Sequence, residues 1–345
     1  MTTQNPTIAV YGPTGHTGGY ILADLHRRGA TPILVGRSES RLRQAAHAAG
    51  LTDPDIRVAT LDDHRALLTA FTGADAVISS LSAYVDNGAP VVRAAIEAGA
   101  HYTDLSGEQV FLRQVLDESP AAEAAGVTLV PGATDNNVPA DLLAHLVARR
   151  LDGPADLVIS HHSKSGGNGS KGSAATVFAS LDWFRTGGWH YADGALSTGP
   201  SDRTELTLPG AESPIPVGKF PQPPVVTVPR HSEVASVTGV LSSAILATLG
   251  SFTEELIAQL PDAPDADLRY DVIVDAHGPD RTVRGVFSGL DSYRDTALLA
   301  VEIAVRLARG GAKPGALAPA ELVDPAAFLD SLATYGLSWR IEEPR

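Results

Sequence analysis

Short apolar runs alternate with stretches of helical spacing along the first 130 residues. Ile8 to Tyr11, Thr31 to Val35, Ile56 to Leu61, Ala74 to Ser80, Gly99 to Asp104 and Val127 to Val130 each read as a buried strand. Between them, residues 20–28 place Ile21, Leu22 and Leu25 on one helical face, and residues 38–49, 65–71 and 87–99 continue the alternation. Strands that alternate with helices over this length predict an α/β domain with a doubly wound parallel sheet.

The pattern changes after residue 135. Residues 137–150 read as a helix with Pro139 in its first turn. A strand at Leu157 to His162 and a helix over 174–185 follow. Residues 186–235 are rich in Gly and Pro. Their short runs at 203–208, 215–219 and 225–228 read as antiparallel strands with proline-limited edges. A helix falls within 237–259. Residues 267–277 and 281–288 alternate on either side of Gly278-Pro-Asp280, which predicts a long hairpin. Residues 293–309 form a long helical pattern. The expectation is a second α+β domain with an antiparallel sheet, residues 136–290, after a first domain of residues 1–135. The cleft between them is the expected site of chemistry.

One stretch carries the sharpest chemical signal. The strand ending at Tyr11 runs into Gly12-Pro-Thr14-Gly15-His16-Thr17-Gly18 and then a helix. Strand, glycine turn and helix are the context of a dinucleotide fingerprint. Gly12 suits the tight turn, Gly15 the close approach of a diphosphate, and Gly18 the packing of helix on strand. The helix start offers N–H groups and a positive dipole end to the phosphates. The spacing is G-x-x-G-x-x-G, looser than G-x-G-x-x-G, so the motif draws its weight from this context. At the end of the second strand, where an acidic residue would select NAD, stand Arg37, Ser38 and Arg41. Guanidinium groups match an adenosine 2′-phosphate, so the expected coenzyme is NADP(H). The bland alternative is that both arginines open a solvated helix. Asp62 lies at the sheet edge near an adenine position, or else caps the next helix with Asp63. Ser80, Leu81 and Ser82 follow the fourth strand, at the sheet end where such folds bind ligands.

Charge and composition narrow the classes. The net charge of −14 repels nucleic acid and anionic membranes. The absence of cysteine excludes disulfides, thiolate catalysis and zinc–thiolate sites. The apolar stretch Val237 to Phe252 is too short and too polar to span a bilayer, and no leader pattern opens the sequence. A soluble, cytoplasmic protein is expected, with no membrane and no nucleic acid partner. The glycine–serine loop 163–173 has Ser173 where a P-loop needs lysine, and reads as a substrate-closing loop or a connector. His161 and His162 are adjacent on a strand, so they face opposite sides, and no metal site is expected.

The quoted glycine turn, Val35-Gly-Arg-Ser38, Ala98-Gly-Ala-His-Tyr-Thr-Asp104-Leu-Ser-Gly-Glu108 and Val130-Pro-Gly-Ala-Thr-Asp135-Asn-Asn-Val-Pro-Ala-Asp141 together resemble the saccharopine dehydrogenase-like oxidoreductases. The branch with trans-acting enoyl reductases is the most similar. The likeness resumes at Gly289-Leu-Asp-Ser-Tyr293-Arg-Asp-Thr-Ala297 and Leu317 to Pro325. Two loops depart from it. Leu81-Ser-Ala-Tyr84 replaces Gly-Pro-Phe or Gly-Pro-Tyr, and Thr134 replaces a Phe before Asp135. The resemblance implies a Rossmann domain, with residues from about 291 to 345 returning to pack on it. It also implies NADPH-dependent hydride transfer to an imine or polarised C=C bond of a small-molecule substrate. Proton-donor candidates are Tyr84, Tyr102, Asp104, Glu108, Asp135, His161, His162 and Lys171; Tyr84, Asp104 and Asp135 are the preferred three. Tyr102 suits core packing better, by its alternation with apolar neighbours, and Asp104 equally suits bonding to turn N–H groups. The basic residues of the middle segment (Lys164, Lys171, Arg185, Arg203, Lys219, Arg230) are scattered, which suits a substrate less charged than saccharopine. A non-catalytic NADP-binding redox sensor is the alternative class, and a homodimer is the expected assembly.

Overall fold

A computed structural model describes residues 5–164, 169–260, 264 and 268–342. In chain order the first part runs β1 (Thr7–Tyr11), α1 (His16–Arg27), β2 (Thr31–Gly36), α2 (Glu39–Ala48), β3 (Asp55–Val58), α3 (His64–Phe71), β4 (Ala76–Ser79), α4 (Tyr84–Asn87), α5 (Ala89–Glu97), β5 (His101–Asp104), α6 (Gln109–Asp117), α7 (Ser119–Ala125) and β6 (Thr128–Val130). It continues with α8 (Val138–Ala148), β7 (Ala155–Ser163), α9 (Lys171–Ala179), α10 (Leu181–Arg185), β8 (His190–Ala192), β9 (Ala195–Ser197), β10 (Glu205–Thr207), β11 (Pro214–Lys219), α11 (Pro224–Thr227) and β12 (Val234–Ser242). The last part is α12 (Ser243–Gly250), α13 (Glu254–Gln259), β13 (Tyr270–His277), β14 (Thr282–Gly289), α14 (Ser292–Ala308), β15 (Gly315–Ala316), α15 (Pro319–Leu322), α16 (Pro325–Ser331) and β16 (Ser338–Glu342).

Two compact units divide these elements. The first holds residues 1–106, 110–134 and 293–317; the second holds 107–109, 135–292 and 318–345. In the first unit the strands form one parallel sheet in the order β15-β6-β5-β4-β1-β2-β3. The strand order reverses at the β1–β4 pair, and ligands bind such sheets beyond the carboxyl ends of the strands at that point. The central strands are apolar without alternation because helices cover both faces. Ile8, Ala9, Val10, Val77 and Ile78 are fully buried, as are Ile21, Leu22 and Leu25 of α1.

In the second unit the sheet order is β10-β11-β12-β7-β13-β14-β16, with β8 paired to β12 and β9 to β8. Every pairing is antiparallel except β7 against β12. The apolar helix α8 lies against this sheet, and a Cβ at Gly285 would stand 3.1 Å from Leu143, so small size there sets the approach. On the other face Val158, Leu206, Val217, Val240 and Ile273 form a core.

Residues 225–228, expected as a strand, instead form α11 and the start of a 3-10 turn. Prolines at 223 and 224 fix φ near helical values just where the turn begins, and burial of Val225 and Val226 overrides their β preference. The helix expected over 174–185 breaks at Ser180 into α9 and α10. Strands β8, β9, β12 and β16 were not legible in the pattern. The expected hairpin strand is described only from residue 268 on, and its Asp267 lies outside the described residues, as does part of the 163–173 loop.

Candidate functional site

The glycine turn is built for two different reasons. Gly12 sits at φ +79, and a Cβ there would stand 2.5 Å from the Ser80 carbonyl oxygen. A Cβ on Gly18 would stand 2.5 Å from the Pro13 carbonyl oxygen. Both glycines are required by the protein's own backbone. Gly15 is not: its φ is −86, which any residue adopts, and nothing lies within 4 Å of where its Cβ would be. The side of Gly15 where a Cβ would stand is open. Gly15 is the N-cap of α1, which has no side-chain cap and no acidic residue in its first turn. An N-terminus of that kind keeps its dipole for an anion. Thr14 and Thr17 flank it, half-buried. The His16 ring meets Tyr20 and Tyr293 edge-on, at 5.1 and 5.2 Å between centroids. These residues fit a coenzyme diphosphate.

Past β2, Arg37 and Arg41 are exposed, and Ser38 is the N-cap residue of α2 with its Oγ 3.2 Å from Ser40 Oγ. Neither arginine makes an ion pair among the described residues, whereas Arg43 of the same helix is tied to Glu39. Asp62 is fully exposed. Its bond to the Thr60 hydroxyl, with a backbone bond, holds its carboxyl below the usual range. Asp63, not Asp62, caps α3, accepting from Ala66 N at 2.9 Å. Burial raises the Tyr11 phenol pKa; Arg37 lowers it and Asp62 raises it, so both charges reach that hydroxyl.

The loop after β4 is strained and locked. Ala83 sits at φ 50 and ψ 62, left-handed for a residue with a Cβ. This turns Tyr84 inward. Its buried hydroxyl donates to Ser79 O at 2.7 Å and accepts from Leu81 N at 2.9 Å and Leu105 N at 3.2 Å. Ser80 and Leu81 stay half-buried and Ser82 exposed. One strand over, Asp104 is fully buried. Its Oδ1 accepts from Ser106 N at 2.9 Å, Ser106 Oγ at 2.6 Å and Gly132 N at 2.8 Å. Among the described residues its Oδ2, the Tyr102 hydroxyl and Ser79 Oγ are buried without a hydrogen bond of good geometry, although Tyr102 lies close enough to Ser79 and Asp104 to feel both. Burial pushes the Asp104 carboxyl up in spite of those bonds, and drives the Tyr102 phenol higher still. Tyr84 and Asp104 thus meet around Leu105 and Ser106, the Tyr84 hydroxyl bonding Leu105 N and Asp104 Oδ1 bonding Ser106 N.

Asp135 belongs to the second unit. Its Oδ2 lies 2.9 Å from His161 Nε2 and accepts from Ser292 Oγ at 2.5 Å. The His161 ring stacks on Tyr270 at 4.7 Å and 20°. The pair was not legible as a pair, because 26 residues separate its members and 157 separate Asp135 from Ser292. Strand parity at 161 and 162 is the one signal that bears on it. His162 takes the opposite side; burial lowers its pKa and Asp271 raises it. Lys164 pairs with Asp271 at 3.2 Å, and Lys171 is exposed at the start of α9. Glu108 is buried and accepts from Gly107 N at 3.2 Å. Among the described residues no three His, Asp or Glu side chains are grouped to hold a metal ion.

Comparison with known proteins bears on the first unit most. Residues 8–130 match the family described as the saccharopine dehydrogenase NADP binding domain. A trans-acting enoyl reductase of Mycobacterium ulcerans is 31% identical over 191 residues, 51% of this chain and 46% of that protein. A lipid droplet localized protein of Caenorhabditis elegans is 29% identical over 157 residues, 42% of this chain and 37% of that protein. The chain thus spans less than half the length of these relatives. The apo saccharopine dehydrogenase (L-Glu forming) of Saccharomyces cerevisiae matches with a TM-score of 0.62 over 99% of this chain and all of that one, at 13% identity, which shows a shared fold. No helix among the described residues is long and apolar enough to cross a membrane.

Proposed function

We propose that this chain, whose residues 8–130 belong to the saccharopine dehydrogenase NADP-binding domain family, is an NADPH-dependent reductase. Its substrate is an imine or a polarised C=C bond of a small biosynthetic intermediate. The observation that carries the reading is the open side of Gly15 together with two unpaired arginines past β2. The first unit binds coenzyme and the second binds substrate. Gly12, Thr14, Gly15, His16, Thr17 and Gly18 hold the diphosphate. Arg37, Ser38 and Arg41 hold the 2′-phosphate; Asp62 and residues 80–82 border the two ends of the coenzyme.

When bound, NADPH supplies the hydride, and the protein's task is orientation and a proton. Tyr84 and Asp104 shape the loops after β4, β5 and β6, through the Tyr84 hydroxyl and Asp104 Oδ1, which bond loop backbone. Asp135 orients the His161 ring, the role a carboxylate plays beside a catalytic imidazole. The assembly we expect is a cytoplasmic homodimer, which light scattering and fractionation would check.

Coenzyme titration tests the reading. NADPH should bind far more tightly than NADH. Removing Arg37 or Arg41 should weaken NADPH about 10- to 100-fold, the worth of a charged hydrogen bond, and leave NADH unchanged. Turnover is then read as loss of NADPH absorbance with a cyclic imine and an α,β-unsaturated thioester. Tight binding with no turnover of either would favour a redox sensor, and no binding would overturn the assignment.

A further inference from the structure

The start of α1 is a poor helix by its own sequence. It opens His16-Thr-Gly18-Gly19-Tyr20, with glycine as N-cap, no side-chain cap and no acidic residue in the first turn. Two glycines in the first turn and a half carry the largest backbone entropy cost of any residue. Yet this turn must present its N–H groups in fixed positions if it is to receive a diphosphate. Something outside the local sequence has to hold it. The His16 ring lies edge-on to Tyr20 on its own helix and edge-on to Tyr293 on α14, more than 270 residues away in sequence. Helix α14 also grips the other end of α1, where Arg28 pairs with Glu302 and, at 2.8 Å, with Asp24. Tyr293 and Glu302 are both in the first unit, as is α1.

We infer that Tyr293 is a positioning residue of the coenzyme site: through the His16 ring it pins the first turn of α1 and pre-forms the diphosphate cradle. This rests on the coenzyme reading above. Tyr293 takes the place of the capping side chain that the turn lacks, and leaves the N–H groups there for the ligand. The contact that does this is made by its ring.

The test is hydrogen–deuterium exchange and NADPH titration on the full chain carrying Tyr293→Ala, Tyr293→Leu or Tyr293→Phe. In Tyr293→Ala, amides 16–20 should exchange faster in the free protein, and the Kd for NADPH should rise about 2- to 10-fold, the value of an aromatic edge contact. Saturating NADPH should restore the protection. Tyr293→Phe should match wild type in both readouts. If Tyr293→Ala fails to fold, Tyr293→Leu keeps the bulk without the ring and should show the same two changes. Unchanged affinity and exchange would overturn the inference, and so would a lowered melting temperature with unchanged affinity. If wild type binds no NADPH, the reductase reading falls; exchange at 16–20 then still decides the clamp, faster exchange in Tyr293→Ala supporting it and unchanged exchange overturning it.

Discussion

Two glycines three residues apart in one bend, Gly12 and Gly15, are separable by experiment. Gly15→Ala meets open space at an ordinary φ, so melting should move little or rise slightly, while NADPH affinity falls about tenfold or more. Gly12→Ala meets the Ser80 carbonyl at positive φ and should cost about 1–3 kcal/mol of stability. Calorimetry on both variants, with and without coenzyme, checks the pair. Asp104 offers a second contrast. Asp104→Ala strands three buried donors and should destabilise by about 2–4 kcal/mol. Asp104→Asn keeps an accepting Oδ1 and puts its amide beside the buried Tyr102 hydroxyl and Ser79 Oγ, so it should cost far less in urea unfolding. What was legible at this scale follows from how local each role is. Gly18 does its work against Pro13, five residues back, Gly12 stands at a positive φ that a tight turn demands whatever lies beside it, and the arginines past β2 need only a strand end to mark them. Asp135 was picked out without its partner, because which face of β7 carries His161 depends on a sheet the sequence does not spell out. Tyr84 was legible as important, but its three backbone partners were not, and they turn a proton-donor candidate into a loop anchor.

At the scale of elements, two helix contacts make predictions with opposite pH dependence. Glu302 of α14 is part-buried. Burial raises its pKa, but bonds and charges from Arg28 and Arg306 outweigh that and leave it below its ordinary value. A carboxyl lowered by folding adds stability above its unfolded pKa and loses it as pH falls through the folded one. Glu302→Gln should therefore destabilise at neutral pH and converge on wild type in acid, as thermal melts at pH 3 and 7 would show. His231 behaves in reverse. Burial pulls its pKa down, and Asp141, 2.9 Å from its Nε2, more than reverses this. A histidine raised by folding adds stability below its unfolded pKa and loses it as pH climbs through the folded one. His231→Gln should cost more at pH 5.5 than at pH 9. Asp141 also accepts from Ala320 N at 2.8 Å, so the pair fastens α8 to the segment that opens α15. Elements with strong, uninterrupted patterns, β1 to β6 and α14, were readable in advance. Residues 225–228 were not, because a β-branched run and flanking prolines argue for different structures and burial decided between them.

For the whole molecule, one unit is built on a parallel sheet and the other, which holds the Asp135–His161 pair, on a mixed one. The first unit draws on three separate stretches of chain, the last of them residues 293–317, which supply α14 and the edge strand β15. During synthesis, then, the first unit is begun before the second and completed only after most of it. A nascent chain of 135 residues lacks both the helix that braces α1 and the strand that closes the sheet edge beside β6. A fragment cut at that point should express as an aggregation-prone species. Circular permutants that bring residues 293–317 forward would let the first unit mature while the remainder is still being translated.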